Sequence, residues 1–63
     1  MIFDVAFYCN GRPWGQAHYV AGFLPRVGDT IVDELDATYT VIEVEYMVPK
    51  DNARHMKAVV YVE

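Results

Sequence analysis

Residues Ile2 to Cys9 alternate as a β-strand does, with Phe3, Val5 and Phe7 on one face and Ile2, Asp4, Ala6 and Tyr8 on the other. The first face is wholly apolar and the second is unusually so. Asn10-Gly11 follows as a strong tight-turn signal, because both residue types tolerate positive φ. Arg12-Pro13-Trp14-Gly15 prolongs the break, since Pro13 has no amide to give a ladder. Gln16 to Phe23 reads as an irregular second strand running into the Leu24-Pro25-Arg26-Val27-Gly28-Asp29 corner. Thr30 to Leu35 is expected to be a short strand at a sheet edge, blunted by Asp33 and Glu34, with a turn at Asp36-Ala37. Thr38 to Val48 is the longest extended run. Its phase changes: Tyr39 and Val41 share one parity, whereas Ile42, Val44, Tyr46 and Val48 share the other. Such a slip predicts a β-bulge or sharp bend between Val41 and Glu43. Pro49 to Ala53 reads as a hairpin loop, and Met56 to Glu63 as the last strand.

Five strands joined by tight turns predict one all-β domain over residues 1–63, a small five-stranded antiparallel barrel of Src-homology-3-like shape. The Pro25 to Asp29 corner, the Tyr39-Thr40-Val41 run, the Val44/Tyr46 pair and the terminal Val59-Val60-Tyr61-Val62 together resemble a group of short phage and prophage proteins with that barrel. The resemblance runs from Leu24 to the end of the chain and implies a fold and a phage context; it implies no reaction. The stretch from Asn10 to Phe23, with Trp14 and His18, departs from the shared pattern and is where this chain is expected to be specialised.

Size sharpens the problem that the apolar outer positions raise. A chain of 63 residues buries only about 60% of the surface its unfolded form exposes, so its own core is marginal. Its one cysteine, Cys9, excludes an internal disulfide as the remedy. Yet 54% of the residues are hydrophobic and nine are Phe, Tyr or Trp. Self-association, which covers a second apolar face, is the expected resolution. The net charge of −4 disfavours a nucleic-acid partner, since a phosphate backbone would need a local basic patch. The apolar runs are too short to span a bilayer, and no basic segment precedes an apolar one at the N-terminus. With a lone thiol, the expected setting is the reducing cytoplasm of a bacterial host cell.

The residues capable of chemistry do not fall into known patterns. Cys9 and His18 could form a nucleophile–base pair, but no oxyanion-type turn surrounds the cysteine, and a small buried hydrophobe is the simpler reading. His18, His55 and Cys9 lack zinc-ligand spacing, and Asp33-Glu34-x-Asp36 lacks the Asx-Gly order of a calcium loop. Glu43 and Glu45 share a strand face and read as solvated. No catalytic residue, metal or cofactor is expected.

Binding is the better expectation. Arg12 falls in the first loop, Arg26 in the Pro25 corner, and Arg54-His55-x-Lys57 opens the last strand, while Trp14, Tyr19 and His18 lie in the same part of the chain as Arg12. Aromatics that stack on a planar base and guanidinium forks that grip phosphates would suit a nucleotide-like anion. The competing reading has Trp14 capping the barrel and the arginines as ordinary surface. Ile2, Tyr8, Met56 and Tyr61 are expected to supply outward apolar area on the first and last strands, an interface if those strands are neighbours. The sequence thus points to a non-enzymatic homo-oligomer that captures a small anionic or nucleotide-like ligand, as a phage sponge for a host immune signal would. The alternative is a protein-interaction module that inhibits a host effector or nuclease, or docks in a virion.

Overall fold

A computed structural model describes residues 2–47 and 55–63 of the chain. The strands are β1 (Ile2–Cys9), β2 (Arg12–Val20), β3 (Thr30–Val32), β4 (Thr38–Met47) and β5 (His55–Val62), with one turn of 3-10 helix at Ala21–Phe23. They form one sheet in the order β2-β1-β5-β4-β3, curled into a half-barrel. The all-β, five-stranded architecture read from the pattern is present. One pairing departs from an antiparallel barrel: β1 and β5 run parallel, in unbroken register from Ile2 opposite His55 to Cys9 opposite Val62. β1 and β5 therefore lie side by side in the interior of the sheet.

The alternation in β1 and β5 builds the core directly. Phe3, Val5 and Phe7 pair across the ladder with Met56, Ala58 and Val60, so all six side chains point to one side. Val60 and Val62 are 0% exposed and Val41 of β4 is 1% exposed. Among the described residues no polar or charged side chain is buried, so this interior is held by packing rather than by a polar network. Aromatic rings close its rim. Phe7 meets Trp14 edge-on at 6.0 Å and Tyr19 at 6.2 Å, while Phe3 meets Tyr46 at 6.1 Å. Edge-to-face rings at this spacing suit the ring quadrupole.

The turns follow their residues. Asn10 (φ 52°) and Gly11 (φ 80°) make the two-residue hairpin between β1 and β2, the left-handed pair that matches strand twist. The Arg26 carbonyl accepts from the Asp29 amide at 2.9 Å with Gly28 at φ 96°, a type II turn that needs glycine at its third position. The Asp29 carboxylate in turn accepts from the Arg26 amide at 2.8 Å.

Four local readings change. Arg12 to Gly15 belongs to β2 rather than to a loop: Pro13 sits opposite Tyr8 where the register shifts between Phe7 and Tyr8, and a bulged edge strand has no need of its amide. The same strand stops at Val20, so Ala21 to Phe23 is a helical turn and not strand. β3 ends at Val32 instead of Leu35 because Asp33 folds the chain back. Its Oδ1 accepts from the amides of Leu35 (2.8 Å) and Ala37 (3.0 Å), while Oδ2 accepts from the Tyr39 hydroxyl at 3.1 Å. Burial pushes the Asp33 carboxyl up, but those three donors outweigh it and hold its pKa below 3.8. Lastly, Met56 faces inward against the core; it lies an even number of residues from Val60 and an odd number from Tyr61, so the ladder places it inside. The expected hairpin loop at Pro49 to Ala53 lies outside the described residues.

The predicted bend in the long strand is present. The register of β4 on β5 shifts between Val41 and Glu43, leaving Ile42 unpaired in the ladder. Beyond it, Tyr39 packs on Trp14 with ring centroids 4.4 Å apart. The start of β4 thus reaches toward β2 at the open side of the half-barrel.

Candidate functional site

The curl leaves the outer face of β2, β1, β5 and β4 as a ruled surface whose rows follow from the registers. One row runs His18, Asp4, Lys57, Met47; the next Gln16, Ala6, Val59, Glu45; the third Pro13, Tyr8, Tyr61, Glu43. Short side chains occupy the middle of the second row, while longer ones flank it. The result is an open groove of about 660 Å³ whose lining includes Ala6, Val59, Tyr8, His18, Lys57 and Met47. Its floor is apolar, and Val59 is only 8% exposed although it faces outward.

The groove's polar groups are partly matched to one another. His18 Nδ1 lies 2.7 Å from Asp4 Oδ1, on directly paired residues of β1 and β2. Lys57 pairs with Asp4 from the other side, so one carboxylate stands between an imidazole and an ammonium-bearing side chain. On the far flank, Tyr8 and Tyr61 pair with ring centroids 5.8 Å apart. The Tyr61 hydroxyl donates to Glu45 Oε1 at 2.7 Å. That bond favours the protonated phenol, and with burial and the nearby charges of Glu45 and Glu43 it raises the Tyr61 pKa above 10.0. A site of this kind can bind by stacking, by charge and by apolar contact.

The residues expected to bind ligand do not gather here. His18 lines the groove, from a strand rather than a loop. Trp14 and Tyr19 turn inward and pack against the core, because the register sets Tyr19 opposite Phe3 and the bulge turns Trp14 toward Phe7. Arg12 and Arg26 are exposed, in strand β2 and in the Pro25 corner; Arg54 lies outside the described residues. Cys9 and His18 are separated by the ladder: Cys9 pairs with Arg12 and His18 with Asp4, five residues apart along β1, or ~17 Å. No group of three or more His, Cys, Asp or Glu side chains is placed to hold a metal among the described residues. No helix described is long and apolar enough to cross a membrane.

Of the expected interface residues, Ile2, Tyr8 and Tyr61 share the outer face and Met56 does not. The sequence reading named Lys57 among the basic residues but missed Ala6, Val59 and Met47 as parts of a site. Two small outward residues flanked by longer ones were visible as a pattern, but their adjacency needed the parallel pairing of β1 with β5. A second cleft, of about 360 Å³, lies where Trp14, Gly15 and Gln16 of β2 approach Asp33, Glu34 and Leu35 of the β3–β4 turn. It is the seam of the half-barrel. Comparison with protein-family models, with curated proteins and with solved structures yields no match to this chain.

Proposed function

We propose that this chain is a non-enzymatic binding protein that works as a homo-oligomer and captures a small anionic or nucleotide-like ligand in the outer groove. The observation that carries the reading is the groove itself: an apolar floor with the Tyr8 ring on one flank and Lys57 and His18 on the other. A planar base can lie against tyrosine while a phosphate meets Lys57, with Asp4 held on the His18 side. The ligand class is the one the composition suggests, held by the expected His18 together with Tyr8 and Lys57 in place of Trp14, Tyr19 and the arginines. Self-association is supported, among the described residues, by nine large hydrophobic ones that are 45% or more exposed, including Ile2, Val20, Leu35 and Met47. In the phage context implied by the sequence pattern, capture without chemistry would suffice to withdraw a host immune signal.

The test is native mass spectrometry and thermal shift with cyclic nucleotides and ADP-ribose-type compounds. Retained ligand and a raised Tm are expected for the native chain, and both should weaken in Lys57→Ala and Tyr8→Ala. Retention that is indifferent to both substitutions would remove the groove from the account. A second reading is favoured by the acids of the β3–β4 side, where Asp33, Glu34, Asp36, Glu43 and Glu45 lie close in the chain. Such a stripe would let the protein act as an interaction module that occludes a basic cleft of a host effector or nuclease. Recovery of one basic protein partner, lost when Glu43 and Glu45 are neutralised, would select it.

A further inference from the structure

The self-association proposed above leaves open which surface meets which, and the edges of the sheet differ in how they are protected. Natural edge strands are blunted by being short, by charges, by proline or by bulges. β3 has only three residues and is followed at once by Asp33, Glu34 and Asp36. β2 is nine residues long, and among the described residues it pairs only with β1. Its protective features, Arg12, Pro13 and the bulge, are confined to its first turn-proximal residues. From Gly15 to Val20 it pairs regularly with β1 and carries no Asp, Glu, Lys or Arg. Every second residue there turns its backbone N–H and C=O away from β1, with no partner among the described residues.

Charge distribution separates the two sides further. The chain carries a net charge of −4, yet β2 contains no acid, while Asp29, Asp33, Glu34, Asp36, Glu43 and Glu45 all belong to β3, β4 and their connections. Copies joined through the β4 side would bring like charges together. Copies joined through β2 would keep Glu43 and Glu45 of the two copies apart, while Asp33 and Glu34 approach β2 across the seam at Trp14, Gly15 and Gln16.

We propose that the free edge of β2 pairs antiparallel with β2 of a second copy, about a twofold axis at Ala17, giving a continuous ten-stranded sheet. A twofold normal to the sheet keeps each face on its own side, so residues brought opposite one another must share parity. Centring on His18 would set two imidazoles face to face, and centring on Gln16 would run Pro13 into the paired stretch. Centring on Ala17 places Gln16 opposite His18 on the outer face, a donor–acceptor match. It places Gly15 opposite Tyr19 on the inner face, where an aromatic ring covers a glycine. Gln16 and His18 also line the groove, so this pairing sets the two grooves edge to edge across the axis.

The proposal rests on the self-association reading, and the experiment separates them. Gln16 and His18 are both exposed, so Gln16→Lys/His18→Lys keeps a hydrogen-bond donor beside Asp4 while placing lysines opposite one another at the new junction. Sedimentation velocity should show a dimer for the native chain and a dissociation constant raised roughly tenfold or more for the double variant, with unchanged far-ultraviolet circular dichroism. In a Cys9→Ser background, Ala17→Cys should form a covalent dimer under mild oxidation, since residues opposite across an antiparallel pair are close enough for a disulfide. Undiminished association in the double variant, or failure of Ala17→Cys to cross-link, would overturn the β2 edge while self-association stood. A native chain that stays monomeric at high concentration would overturn both.

Discussion

The two faces of β1 and β5 are made by the same strands, one residue out of step, and they are opposites in chemistry. Inward, Phe3, Val5, Phe7, Ala58, Val60 and Val62 form a surface without a polar atom in its side chains, all of it buried. Outward, Asp4, Lys57, Tyr8 and Tyr61 stand around Ala6 and Val59, with charges and hydroxyls matched across strands. The inner face can change only at the expense of the fold, because close-packed side chains leave no room to relax. The outer face is held together by pairs that each contribute little to stability, which leaves it available for recognition.

The strongest way to break that contrast is to truncate neighbouring residues on the two faces. Phe7→Ala removes a 6%-exposed ring that contacts both Trp14 and Tyr19. It should cost about 3–5 kcal/mol in urea denaturation, comparable to the whole stability of a domain this small. Tyr8→Ala, one residue along, should cost about 1 kcal/mol and leave the fold intact. Similar losses from the two would mean that the outer face is structural after all.

A smaller effect is expected from deleting Ile42. The deletion leaves Val41 inside opposite Val62 and Glu43 outside opposite Tyr61, as now, but removes the extra residue that bends β4. Both faces should survive, while Tyr39 should withdraw from Trp14; a red-shifted Trp14 emission with retained strand circular dichroism would report it. Unshifted emission would show that the curl does not depend on the bulge.

The smallest change sharpens the outer face alone. The raised Tyr61 pKa means that the Tyr61–Glu45 bond stabilises the fold fully below 10.0, and that this support is lost as pH rises through the higher folded value. Glu45→Gln should bring Tyr61 ionisation, followed by ultraviolet titration, back toward 10.0 and lessen that loss at high pH. An unmoved titration would place the cause in burial instead of the hydrogen bond.

Most of the strand pattern was legible because alternation is local. The buried Phe3, Val5 and Phe7 face, the Asn10-Gly11 hairpin, the edge position of β3 and the bend between Val41 and Glu43 all follow from period-two counting and from which residues accept positive φ. Arg12 to Gly15 misled because proline usually ends a strand, whereas a bulge on a sheet edge absorbs it. Trp14 and Tyr19 misled for another reason. Aromatic residues beside arginines look like a ligand cage in one dimension, yet this core is small enough that its rim must be closed by rings from β2.

The amino-acid order by itself determined that this chain makes strands, where it turns, and that one face of β1 must be hidden, since side-chain direction and turn geometry depend on neighbours a few residues away. Only the tertiary structure decided that the first and last strands lie side by side in parallel, that Ala6 and Val59 share a groove with Lys57 and His18, and that β2 lies at an edge of the sheet. Those are matters of which distant segments pair, and the free energy that selects them is shared across the whole sheet rather than written in any one stretch of it.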